Sequence, residues 1–196
     1  MTLATFYLRW LKSVGRRLRD DIHTQQQMQA WWARGVSIAP SAIIRMGDHA
    51  QLVIEPGCLI GEYTLLDLQN DRLLNPPVIS TLRIGRRTAI NEFNNIRAAN
   101  GEIIIGDNCL ISQFVSLIAS NHSIAGGQAI RDQPSDVSKH TIHIGDDVWI
   151  GTHVTVLPGV TIGSGSVIAA GAVVTRSIPE CVIAAGVPAI PIKMRP

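Results

Sequence analysis

Residues Ile144 to Val174 read I-G-D-D-V-W, I-G-T-H-V-T, V-L-P-G-V-T, I-G-S-G-S-V, I-A-A-G-A-V, V. Aliphatic residues recur at Ile144, Ile150, Val156, Ile162, Ile168 and Val174, every sixth position without a slip. Four places after each of the first five comes a small or β-branched residue: Val148, Val154, Val160, Ser166 and Ala172. A period of six is neither the strand's two nor the helix's 3.6. It is the repeat of a parallel β-helix, in which each unit is a short strand plus a tight turn. The aliphatic residue points into the prism core and the small residue fills the corner beside it. The Gly or Asp-Asp step makes the turn. Three such units close one triangular coil, so equivalent positions stack every eighteenth residue.

Upstream, the same pattern predicts a β-helix from about Val36. I-A-P-S-A (Ile38 to Ala42) gives a first repeat, and I-E-P-G-C-L, I-G-E-Y-T-L follows from Ile54. Asp67 to Ser80 breaks the register and carries Pro76-Pro77, which predicts a loop at one corner. I-G-R-R-T-A, I-N-E-F-N-N resumes the repeat at Ile84 and Ile90, with a slip of three residues between Ile96 and Ile105. Leu117 and Ile144 are separated by 27 residues where 18 would complete a coil. The excess predicts an extruded loop over roughly 119–141, and long loops on rigid solenoids are often functional. The prism is expected to end near 189. Residues 190–196 are expected to form a tail, because Pro188, Pro191 and Pro196 discourage strand pairing.

The composition agrees: 46% hydrophobic but only 5% aromatic suits a narrow column of Ile, Val and Ala. No apolar run is long enough to span a bilayer and no signal-peptide pattern opens the chain, so a cytoplasmic protein is expected. Three cysteines, an odd number without C-x-x-C, argue against a disulfide framework or a metal knuckle. Cys58 and Cys109 follow Ile54 and Ile105 by four places, so both are read as buried structural thiols.

The net charge of +2 hides an asymmetry. Residues 1–35 hold six basic and two acidic side chains, giving +4, and the remainder holds 11 basic and 13 acidic, giving −2. Leu3, Phe6, Tyr7, Trp10, Leu11, Val14, Leu18 and Ile22 follow helical spacing, with Arg9, Lys12, Arg16 and Arg19 off the stripe. Residues 1–35 are therefore an N-terminal amphipathic helical segment. It either packs on a neighbouring element or lies on an anionic membrane surface, where residues 1–22 would meet lipid-linked sugar. No nucleic-acid motif accompanies the basic residues.

The run from Val148 to Ala189 (V-W-I-G-T-H-V-T … I-A-A-G-V-P-A) resembles the C-terminal half of hexapeptide-repeat acyltransferases. The nearest type is the maltose and galactoside O-acetyltransferases and relatives that acetylate bacterial polysaccharides. That resemblance implies an all-β, left-handed parallel β-helix, although crossovers in ordinary parallel sheets are right-handed. It implies acetyl-CoA as co-substrate, no metal, a carbohydrate acceptor, and a homotrimer with sites in the clefts between prisms.

Residue by residue, His122 in A-S-N-H-S-I matches the family's catalytic histidine. A neutral imidazole there would take the proton of a sugar hydroxyl attacking the thioester, worth roughly 10²–10⁴-fold. Asn94 in N-E-F-N-N matches the acceptor-binding asparagine, although it occupies a small inward slot where an amide needs partners. Trp149, on an outward position, matches a residue that packs on coenzyme A, with subunit-interface burial a compatible alternative. Thr152 matches an oxyanion donor, of a kind worth about 10²–10³ in rate. Gly151, Ala169, Ala170 and Gly171 would let the pantetheine arm lie close to the backbone, and are also what the repeat itself needs. Thr175 and Arg176 match cofactor-contacting positions, and Lys193 and Arg195 lie in a tail resembling a phosphate-binding end. Ile190 stands where that family commonly has a basic residue.

Competing readings are an N-acetyltransferase acting on an amino nucleotide-sugar, a catalytically silent β-helix scaffold, and a zinc hydratase on the same fold. The last needs three histidines on adjacent edges. The H-x-x-H of His140 and His143 does not supply them. No G-x-S-x-G elbow, catalytic-cysteine signature or phosphate-binding glycine loop occurs, so direct attack in a ternary complex is favoured over an acyl-enzyme.

Overall fold

A computed structural model describes residues 28–196; the amphipathic stripe from Leu3 to Ile22 lies outside them. A short helical stretch at 28–33 leads into Val36, which is buried, and the first strand is Ser37–Ile38. From there to Val173–Val174 the chain winds through three parallel sheets. Apart from the two short strands Asn121–His122 and Ser135–Asp136, successive strands fall on the first, second and third face in turn, and each hydrogen-bonds to its equivalent one coil later.

The regular C-terminal coils have the expected spacing. On the third face Ile144 stacks on Ile162 and on the first Ile150 stacks on Ile168. On the second face Val156 stacks on Val174. These aliphatics form one continuous core, with Ile90, Ile111, Ile150 and Ile168 each 0% exposed. The small slot is filled by Cys58, Cys109, Val148 and Ala172, all buried. Where the slot is polar, the side chain ties one coil to the next. Thr88 Oγ1 donates to Gly106 O at 2.7 Å, and Ser166 Oγ to Pro179 O at 2.7 Å.

The Gly-Asp step has a second physical role. The carboxylate of Asp107 accepts from Arg86 N, and that of Asp146 accepts from Asp107 N, each at 2.7 Å. A Cβ on Gly106 would stand 2.4 Å from Asp146 Oδ1, so glycine leaves room for the neighbouring coil's cap.

Three boundaries differ from the sequence reading. The first loop occupies 69–79 rather than Asp67 to Ser80, because Asp67 and Leu68 belong to the strand Leu65–Leu68 and Ser80 opens the strand Ser80–Ile84. Asp67 is held there by Arg97, with Nη1 and Oδ2 3.1 Å apart and the Asp67 side chain only 4% exposed.

The second loop spans 119–140, between the strands Ser116–Ile118 and Thr141–Ile144. Leu117 pairs with Val156, 39 positions on, against the regular 18, so the insertion exceeds the one inferred from Ile144. Leu117 and Ile144 lie on different faces, which makes that comparison the wrong one.

The tail also pairs. Ile190–Met194 turns back antiparallel along Val182–Ala185, with a bulge between Ile183 and Ala184 opposite Pro191. A sheet edge with a bulge is where proline is tolerated.

Candidate active site

His122 is built by the extruded loop. Asn121–His122 and Ser135–Asp136 form a two-stranded antiparallel ribbon, with His122 opposite Ser135. Between them the chain makes a 3-10 turn at Ile130–Asp132. Gln133, buried in a loop of polar residues, closes it: Oε1 accepts from Ala125 N at 2.9 Å, and Nε2 donates to Ala125 O and Gln128 O at 3.0 Å. His122 itself is exposed.

The ribbon is pinned to the prism by a closed ring of hydrogen bonds. Ser135 N and Oγ both donate to Asp71 Oδ2 at 2.8 Å. Asp71 N donates to Asn100 Oδ1 at 2.6 Å, and Asn100 Nδ2 donates to Ser135 Oγ at 3.1 Å. The ring joins the 69–79 loop, the corner turn at Asn100 and the histidine-bearing loop. Partial burial works against the Asp71 charge. The hydrogen bonds from Leu73 N and Ser135, with the nearby His122, outweigh it and hold the carboxyl below its ordinary value.

The second cluster lies at another corner. Trp149 stands on the outward side of the first face between Leu110 and Val167, 51% exposed, its Nε1 donating to Ser112 Oγ at 3.2 Å. The chain then turns through Gly151 and Thr152 to the strand Thr155–Val156 on the second face. Ala169, Ala170 and Gly171 occupy the same corner one coil on, where Gly171 N donates to Thr152 O at 2.8 Å. Gly151 is buried, and a Cβ on it would stand 2.6 Å from Ala170 N. Its smallness serves the stacking of coils. Gly171, at φ +72°, would meet nothing within 4 Å and is the open glycine of the corner.

The other candidate residues have partners of their own or lie exposed at other positions. Asn94 is 2% exposed: its Oδ1 accepts from Val115 N at 2.7 Å and its Nδ2 donates to Asn91 O at 2.9 Å. It serves as an internal tie, as an amide in the inward slot must find partners inside the prism. The Thr152 hydroxyl gives its proton to Gln113 O at 2.8 Å, with His153 Nδ1 at 2.9 Å.

Arg195 Nη1 lies 2.8 Å from Asp147 Oδ2 and 3.0 Å from Gly165 O, so it braces the C-terminal strand. Lys193 pairs with Ile183 within that strand pair. Thr175 and Arg176 are exposed at the corner after Val173–Val174, on the second face. His140 Nδ1 lies 2.6 Å from Val137 O, whereas His143 Nε2 faces Glu102 Oε1 at 3.2 Å, so the H-x-x-H pair does not converge.

Two features escaped the sequence reading. One is the Asp71–Asn100–Ser135 ring. The other is an aromatic ladder at the corner of the first and second faces. Tyr63, Phe93 and Phe114 stack at centroid distances of 5.2 Å, and His153 continues on Phe114 at 4.8 Å. All four adopt φ of 55–58°, a left-handed conformation that bulky residues hold only under constraint. Matching offsets from each coil's inward aliphatic residue could have revealed the ladder.

Residues 141–176 match the family described as bacterial transferase hexapeptide (six repeats). The galactoside O-acetyltransferase of Escherichia coli (strain K12) is 41% identical over 119 residues, covering 59% of this chain and 57% of that protein. A putative acetyltransferase of Schizosaccharomyces pombe is 35% identical over 158 residues, covering 76% and 74%. Among solved structures, a galactoside acetyltransferase in complex with coenzyme A superposes with a TM-score of 0.53 at 29% identity, covering 82% of this chain and 66% of that one. The chain spans 57%, 46% and 54% of the length of the first three curated relatives it matches.

Proposed function

This chain belongs to the bacterial hexapeptide-repeat transferase family, and we propose that it is an acetyl-CoA-dependent O-acetyltransferase acting on a carbohydrate hydroxyl. The observation that carries the reading is His122, exposed on a ribbon that is itself pinned to a rigid prism. A general base must be accessible to its substrate and yet fixed in place.

In the reaction, a neutral His122 imidazole removes the proton of the acceptor hydroxyl as its oxygen forms a bond to the acetyl carbonyl carbon. The carbon–sulfur bond of acetyl-CoA then breaks, and the leaving thiolate takes the proton back from the imidazolium to give free coenzyme A. Fixing base and electrophile in one geometry replaces the entropy that the two would otherwise lose on meeting. Trp149, Thr152, Ala170 and Gly171 form the edge against which coenzyme A lies, and Arg176, at the corner that follows the second face, supplies a cation for its phosphates.

His122 and that edge stand at different corners of the prism, and this supports a homotrimer in which one protomer's histidine faces its neighbour's coenzyme edge. Leu59, Leu110 and Trp149, at 42%, 56% and 51% exposure on one face, give that association an apolar surface.

The test is release of free thiol from acetyl-CoA across a panel of sugars, oligosaccharides and amino nucleotide-sugars. Acetylation of hydroxyl acceptors only, abolished by His122→Ala, is the expected result. Transfer to an amine alone would replace O-acetylation by the N-acetyl reading. No thiol release with any acceptor, together with no binding of coenzyme A by calorimetry, would favour the silent scaffold.

A further inference from the structure

We propose that Asp71 is the positioning residue for His122, fixing the strand that carries the imidazole and setting a negative charge beside it. The inference rests on the reading of His122 as the base. Its starting point is the reach of the Asp71 carboxylate: it takes both the amide and the hydroxyl of Ser135, 64 residues away, and Ser135 is the cross-strand partner of His122. Any tilt of the Asp71 carboxylate therefore moves the backbone on which the imidazole stands.

The carboxylate cannot tilt freely. Its Oδ1 accepts from Leu73 N at 2.8 Å, and its own amide is held by Asn100. Asn100 in turn donates its amide to Ser80 Oγ at 2.9 Å, inside the prism. The line of support runs from the core, through Ser80, Asn100, Asp71 and Ser135, to the ribbon of His122. Each member is a short polar side chain already satisfied by the next, so the ring is stiff.

The charge matters as well. The charged and titratable groups on the elements around His122 are Asp71 and Arg72 on the 69–79 loop, Arg131, Asp132, Asp136, Lys139 and His140 on its own loop, and Arg97, which Asp67 already neutralises. Asp71 is the carboxylate tied directly to the cross-strand partner of His122, and its charge is favoured chiefly by the hydrogen bonds from Leu73 and Ser135, with His122 adding to them. An anion there stabilises the imidazolium that forms when the acceptor's proton is taken, as in other carboxylate–histidine pairs.

The experiment compares Asp71→Asn, Ser135→Ala and wild type in the full chain, using two readouts. The first is the titration of the His122 ring protons by NMR, assigned from His122→Ala, which needs no activity. The second is kcat and KM for acetyl-CoA. Asp71→Asn should move the His122 titration to lower pH and lower kcat by about 10²-fold, the cost of a misplaced group, while KM for acetyl-CoA stays within about twofold. Ser135→Ala keeps the charge and one of its two hydrogen bonds to Asp71. It should lower kcat less and leave the titration nearer to wild type. Asp71→Glu should restore part of the titration shift.

An unchanged His122 titration in Asp71→Asn, with the ribbon's amide resonances also unchanged, overturns the proposal whatever the activity. Should His122→Ala retain thiol release, the base assignment fails, while the titration still decides whether Asp71 governs the ring.

Discussion

His122 and Thr152 stand at different corners of one prism. His122 follows the second-face strand Ser116–Ile118, and Thr152 follows the first-face strand Trp149–Ile150. A stiff solenoid cannot fold one corner onto another, so a site using both must draw them from two protomers. Coexpressing His122→Ala with a Trp149→Ala/Thr152→Ala double variant should then restore thiol release that neither shows alone. Failure to complement, with mixed oligomers demonstrated by mass spectrometry, would place the whole site within one chain.

The inward column carries the stability of the fold. Ile150 is 0% exposed between Ile111 and Ile168. Its truncation to Ala should cost about 2–5 kcal/mol by urea unfolding. A loss below about 1 kcal/mol would mean that the coils do not stack as described.

Two glycines at one corner should respond differently to alanine. Gly151→Ala places a Cβ 2.6 Å from the Ala170 amide nitrogen and forces coils apart. Gly171→Ala meets no atom and bears only the left-handed backbone cost, about 1–2 kcal/mol. Thermal unfolding should rank Gly151→Ala as clearly the more damaging.

Thiol chemistry checks the inward slot. Burial pushes the Cys109 thiol up to about 11 and raises that of Cys58, while Cys181 is exposed. At pH 8 in native buffer a maleimide should label Cys181 alone, and unfolding in guanidinium should release the other two.

Acid should act on the loop junction before the prism. The Asp71 carboxyl sits below its ordinary 3.8 when folded, so its contribution is complete above that value and is lost as pH falls through the lowered one. Amide exchange at Ser135 should stay slow down to about pH 4 and accelerate below it. Exchange that quickens between pH 7 and 5 would assign the junction to a group other than Asp71.

The repeat was legible because a period of six imposes the same burial on every coil, and Cys58 and Cys109 could be placed from it alone. Trp149 was readable as outward for the same reason. Asn94 was not, since an inward amide looks alike whether it serves an acceptor or the Val115 amide. The bond between Asp71 and Ser135 spans two insertions, where no period operates. The return strand Ile190–Met194 was hidden because proline content opposes pairing in general but not at a bulged edge.

The most direct measurement is the steady-state rate of coenzyme A release by wild type and His122→Ala, with a hydroxyl-bearing sugar acceptor and acetyl-CoA at saturation. A general base supplies about 10²–10⁴-fold, so kcat should fall by that factor while acetyl-CoA binding, measured by calorimetry, stays unchanged. A His122→Ala enzyme that releases thiol at the wild-type rate would contradict the account.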